Sequence, residues 1–97
     1  MVNLGGHNLA THKSALKRAR QSEVRRLRNK RYRTRARSAI KEFRNAVASN
    51  SVEQARESFP VAVSILQKTA SKGVIHKNKA ARQISRLAQQ FSQLAAS

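Results

Sequence analysis

Cysteine is absent from this 97-residue chain, which rules out both a disulfide framework and a thiolate metal site. Tryptophan is absent as well, and the aromatics are three Phe and one Tyr. Proline occurs once, at Pro60. Of the three glycines, Gly5 and Gly6 sit together near the start, so little interrupts helix formation in between. No apolar run approaches the roughly 20 residues of a membrane span. Met1 to His12 lacks the long apolar segment of a secretory signal, which points to the cytoplasm. Negative charge is also scarce. Four acidic residues stand against 21 Lys and Arg, for a net charge of +17. Such an excess calls for a polyanionic partner, nucleic acid first and anionic membrane second.

The same scarcity argues against catalysis. Glu23, Glu42, Glu53 and Glu57 form no pairing suited to acid–base work. Glu53 and Glu57 suit the positive end of a helix dipole, while Glu23 and Glu42 suit intrahelical ion pairs. His7, His12 and His76 show no metal-ligand spacing, and no phosphate-loop glycine pattern occurs. No catalytic residue, metal or cofactor is therefore expected.

What is abundant is helix-forming sequence. Residues 1–12 carry two glycines, two asparagines and no periodicity, and read as a disordered tail with Thr11 available as a cap. Residues 13–97 read as a single helical domain with helices at about 13–49, 51–71 and 76–95. Residues 13–49 contain neither Pro nor Gly. Their C-terminal half bears an apolar stripe, Ala36, Ile40, Phe43 and Val47, flanked by Ala39 and Ala46. Projected backwards, the stripe meets Tyr32, Asn29 and Arg25, so the core face should end near Tyr32.

Asn50 and Ser51 mark a turn, and Asn50 with Glu53 resembles a capping box. The second stripe is Val52, Ala55, Phe59, Ala62, Leu66 and Ala70. Pro60 leaves two readings, a kinked helix or two short ones, and the unbroken register favours the kink. Lys72-Gly73 reads as a helix stop, with Gly73 at the left-handed position and Val74 and Ile75 packing back. The third stripe is Ala80, Ile84, Leu87, Phe91 and Leu94. Short connections make successive helices neighbours. The expected fold is all-α, a three-helix bundle whose long N-terminal helix extends beyond the bundle.

The densest charge lies in Arg25 to Arg37, RRLRNKRYRTRAR, where eight of thirteen residues are basic and none acidic. A charge run of mixed sign is ordinarily a solvated helix face, but this run has one sign. Six like-charge pairs at i,i+3 or i,i+4 within it cost roughly 1–3 kcal/mol of helix stability. Residues 13 to about 30 are therefore expected to fray in the free protein and become helical on binding a polyanion. On a helical wheel Arg26, Lys30, Arg33 and Arg37 fall on one flank of the stripe and Arg28, Arg31 and Arg35 on the other, which suits a rod set between two nucleic-acid surfaces. A second cluster, Lys72, Lys77, Lys79, Arg82 and Arg86 with His76 and Asn78, falls at a helix start, where backbone donors add to the cations. With Tyr32 the one ring near the basic stretch, base stacking is disfavoured; backbone and shape recognition of double-helical nucleic acid fits better.

Two segments carry a resemblance. HKSALKRARQSEVRRLRNK, residues 12–30, and KGVIHKNKAAR, residues 72–82, resemble in order and spacing the two signatures of the bacterial small-subunit ribosomal protein S-twenty family. The resemblance covers about residues 11–95. It implies a three-helix bundle that binds small-subunit (16S) ribosomal RNA, bridges RNA helices during assembly, and sits as a monomer in the cytoplasmic ribosome among other small-subunit components. Carried over, the RNA contacts would be Lys13, Ser14, Lys17, Arg18, Arg20, Gln21, Ser22, Arg25, Arg26, Arg28, Asn29 and Lys30, then Gly73, His76, Lys77, Asn78, Lys79 and Arg82. Arg31, Arg33, Arg35, Arg37, Lys72 and Arg86 are added on charge alone.

The family's usual start, Met-Ala-x-x-Lys-Ser-Ala, matches Ala10 to Ala15 with Leu9 in the place of Met. The expectation is initiation on a Leu codon at position 9, leaving residues 1–8 unmade; an intact mass that includes them would refute it. Two other classes compete. A DNA-binding or packaging protein of the basic-region type needs sustained heptads, and the stripe lasts about two turns. A membrane-active helix needs a large apolar face beside the basic one, and Arg25 to Arg37 offers Leu27, Tyr32 and Ala36.

Overall fold

A computed structural model describes residues 2–96, with side chains from His12 onward. Its elements are α1 (Val2–Ala48), α2 (Val52–Ser71) and α3 (Lys77–Ala96). No strand occurs among the described residues. The all-α, three-helix expectation holds, and α1 is the long helix, 47 residues against 20 for each of the others. The bounds of α1 reach back to Val2, ahead of the Lys13 start read from the sequence. The tail expected over residues 1–12 and the start-site expectation over 1–8 fall, but for His12, outside the described side chains.

The chain divides into two compact units, Met1–Lys30 and Arg31–Ser97. In the first, every described side chain through Arg28 is exposed, including Leu16, Val24 and Leu27. This segment has the backbone of a helix and no buried face. Its helicity rests on local terms alone, because tertiary packing is what ordinarily stabilises helices in proteins.

The second unit holds the core. From α1 it takes Ala36, Ala39, Ile40, Phe43 and Ala46, all buried, with Tyr32 half-buried, so the apolar face ends where the back-projected stripe said it would. From α2 come Ala55, Ala62 and Leu66, and from α3 Leu87 and Leu94, with Val47, Val52, Phe59, Ile84 and Phe91 partly buried against them. The three phenylalanines meet, one per helix. Phe43 lies 5.6 Å from Phe59 and 6.3 Å from Phe91, and Phe59 and Phe91 stack at 5.2 Å with 13° between ring planes. Each such pair adds about 0.5–1.5 kcal/mol beyond the area it buries. Thr69 is fully buried and breaks the apolar pattern. Its hydroxyl donates to the Ile65 carbonyl at 2.7 Å, which removes the cost of burying it unpaired.

The connections account for the helix ends. α2 runs through Pro60 as one helix, so of the two readings left open there the split into two helices is excluded. Pro60 is exposed, so water can solvate the carbonyl it leaves without a donor. The capping box expected from Asn50 and Glu53 is corrected. Asn50 instead closes α1 in the left-handed region, at φ 56°. Its N–H bonds to the Val47 carbonyl and that of Ser51 to the Ala46 carbonyl, both at 3.0 Å, which is a Schellman closure. Ser51, in extended backbone, is the cap of α2, its hydroxyl accepting the Gln54 N–H at 3.4 Å. Asn tolerates the left-handed region better than any other non-glycine residue, so the two polar residues of the turn divide the work. At the other turn Gly73 stands at φ 75°, as expected. Its N–H bonds to Ala70 and that of Val74 to Thr69, the same closure again, and Val74 is buried.

Candidate nucleic-acid interface

In the first unit, α1 presents Lys13, Ser14, Lys17, Arg18, Arg20, Gln21, Ser22, Arg25, Arg26, Arg28 and Lys30 to solvent. Asn29 differs. It is half-buried, and its Oδ1 is enclosed without a hydrogen-bond partner. One ion pair forms among the described residues: Arg26 grips Glu23 with Nη2 to Oε1 at 2.6 Å and Nε to Oε2 at 3.1 Å. The Arg26 guanidinium, by hydrogen bonding first and charge second, holds the Glu23 carboxyl below its ordinary range, and Glu23 raises Arg26 in return. Among the described residues, the other basic side chains of this segment have no acidic partner. A one-sign helix of this kind attracts phosphate and releases condensed counterions when it binds.

In the second unit, Arg31, Arg33, Arg35 and Arg37 are exposed around the buried Ala36. So are Lys72, Gly73, His76, Lys77, Asn78, Lys79, Arg82 and Arg86. His76 is the residue before α3, and its carbonyl accepts the Ala80 N–H at 3.1 Å. Its imidazole Nδ1 accepts the Asn78 N–H, also at 3.1 Å. The ring therefore caps α3. With Nδ1 as acceptor, the neutral imidazole carries its proton on Nε2, which leaves one N–H donor directed away from the cap. Lys77 and Lys79 follow at the positive end of the α3 dipole.

The fold brings parts of the two basic groups together. Arg33 and Arg37 of α1 and Lys79 of α3 line one small cleft, with Gln83 beside Lys79. Nothing in the sequence reading joined these two groups. Gln83 was missed, and the signal that could have found it is its position one helical turn after Lys79. Glu42 and Glu57 line a different cleft, between α1 and α2. Among the described residues no cluster of His or carboxylates could hold a metal ion, and no helix is long and apolar enough to cross a membrane.

Comparison with known proteins decides the lineage. A family model described as Ribosomal protein S20 matches residues 10–92. The chain belongs to that family. It is 51% identical over 86 residues to the small ribosomal subunit protein bS20 of Syntrophobacter fumaroxidans, covering 89% of this chain and all of that one. The bS20 proteins of Desulfatibacillum aliphaticivorans and Geobacillus kaustophilus are each 49% identical to it, over 90% and 92% of this chain and 99% and 100% of theirs.

Proposed function

We propose that this protein is a structural, non-enzymatic component of the small ribosomal subunit that binds 16S ribosomal RNA directly in the cytoplasmic ribosome. The observation that carries this is the α1 segment up to Arg28, whose described side chains are all exposed and whose cations face a single carboxylate, Glu23. Membership of the S20 family names the particle. The Arg side chains offer planar forks to phosphate oxygens, and Ser14, Gln21 and Ser22 offer neutral donors suited to phosphate and sugar.

The contacts follow the residues set out above, from Lys13 to Lys30, Arg31 to Arg37 and Lys72 to Arg86. Cations on both flanks of the Tyr32–Ala36 stripe let separate RNA helices be held at once, with each neutralised phosphate releasing counterions. The protein serves as a monomer there, beside the subunit's other components.

The test is affinity for 16S rRNA fragments against random duplex DNA over a salt series, with co-sedimentation of the protein with small subunits. Preference for the rRNA that survives rising salt is the expected result. Equal affinity for both at every salt would favour the DNA-packaging alternative and sink this one.

A further inference from the structure

We infer that the cleft between α1 and the start of α3 is a site for one phosphodiester group of bound RNA, held jointly by Arg33, Arg37 and Lys79. This deepens the RNA-binding reading and rests on it. The cleft has a volume of about 140 Å³. That is room for several water molecules, and so for one phosphate group.

Its rim is cationic and its floor is not. Arg33 and Arg37 are one helical turn apart on one face of α1, and Lys79 approaches from the first turn of α3. None of the three side chains has a hydrogen bond or ion pair among the described residues, and no acidic residue lines the cleft. The floor includes Ile40 and Thr69. Thr69 is fully buried, and its hydroxyl is already committed to Ile65. The floor side chains thus offer an anion no hydrogen-bond donor, so the side chains that meet it are those of the rim.

Three like charges on a small concavity with apolar walls repel one another more than they would on an open helix, because low-dielectric walls focus the field. A single anion relieves all three interactions at once. Two guanidinium forks and an ammonium suit the non-bridging oxygens of a phosphodiester, and the Gln83 amide adds a neutral donor. The positive end of the α3 dipole lies at the same place.

The test is a mutant cycle in the full chain on a 16S rRNA fragment, using Arg33→Gln, Arg37→Gln, Lys79→Gln and their combinations. Circular dichroism checks that each exposed-site variant stays folded. If one phosphate is shared, the triple variant lowers the salt slope by about one unit in all and each single variant by less. The fold-losses of Arg37→Gln and Lys79→Gln then do not multiply. Arg35→Gln, outside the cleft, combined with Lys79→Gln gives the multiplicative control. Three independent losses, with a slope reduced by about three units, would overturn the shared site while leaving RNA binding intact. A wild-type chain that fails to bind rRNA at all sinks both readings. A readout free of variants is the methyl NMR signals of Ile40, Thr69 and Ile75 in the wild-type protein. They should shift on adding the rRNA fragment. No shift with RNA would overturn the assignment.

Discussion

The imidazole of His76 caps α3 through Nδ1, which accepts the N–H of Asn78 at 3.1 Å. A residue singled out for RNA contact thus also holds the helix that carries Lys77, Lys79, Arg82 and Arg86. His76→Ala should cost about 1 kcal/mol, the usual worth of an N-cap, and His76→Asn should recover most of it. Urea unfolding of the two variants reads this directly. An alanine variant as stable as the parent would dismiss the cap. If Nε2 also donates to RNA, His76→Asn will be stable yet bind RNA more weakly.

Gly73 closes α2 at φ 75°, and a Cβ built there meets nothing within 4 Å. Gly73→Ala should therefore cost roughly 1–2 kcal/mol through backbone strain alone, without a steric clash. If Gly73 also meets RNA, as its signature implies, the folded variant should bind RNA more weakly as well; an unchanged affinity would assign Gly73 to the turn alone. Unfolding curves and a binding isotherm separate the two roles.

Phe43 is fully buried and touches both other rings. Phe43→Ala should lose about 3–5 kcal/mol, since it empties the point where all three helices meet. Leu87→Ala, also in the core, should lose about 2–5 kcal/mol. Val61, though apolar, is 52% exposed, and Val61→Ala should stay within about 0.5 kcal/mol. Similar losses for Val61 and Phe43 in denaturant unfolding would contradict this packing.

Among the described residues, Glu23 is the one carboxylate in an ion pair with the basic helix, and its carboxyl is held below the ordinary value of 4.5 by Arg26. Because the folded value is the lower one, the pair's contribution is present above that ordinary value and fades as pH falls through the depressed one. Glu23→Gln should remove this acid dependence and slightly reduce helicity. It should also tighten RNA binding, by freeing Arg26 and deleting a negative charge. Weaker RNA binding by this variant would show that the pair positions Arg26.

The described part of α1 through Arg28 buries no side chain. With like charges repelling along it, its helix content in the free protein should be incomplete and should rise on adding a 16S rRNA fragment. Circular dichroism of the free and bound protein measures this. Full helicity of the N-terminal half without RNA would refute it.

The core was legible because helical burial repeats every three or four residues. Ala36, Ile40, Phe43, Ala55, Leu66, Leu87 and Leu94 all fall where their stripes put them. The Gly73 stop was legible because glycine adopts positive φ without penalty. The Asn50–Ser51 turn was read one residue off, since both types can cap and only backbone conformation separates them. Thr69 was missed because a hydroxyl that satisfies itself on its own helix behaves as a core residue while looking polar.

The sequence by itself determined that a polyanion must be involved, because 21 basic residues against four acidic ones cannot be neutralised within the chain. It also determined three amphipathic segments and the signatures that point to a family, all properties of local spacing. Only the tertiary structure decided that Arg33 and Arg37 share a cleft with Lys79, that His76 turns its Nδ1 to the backbone, and that one ring from each helix meets at Phe43. Two of these, the cleft and the ring cluster, join residues distant in the chain, and such meetings depend on how helices pack. The His76 cap is local in sequence, but it depends on a backbone turn and a ring orientation that composition and periodicity do not specify.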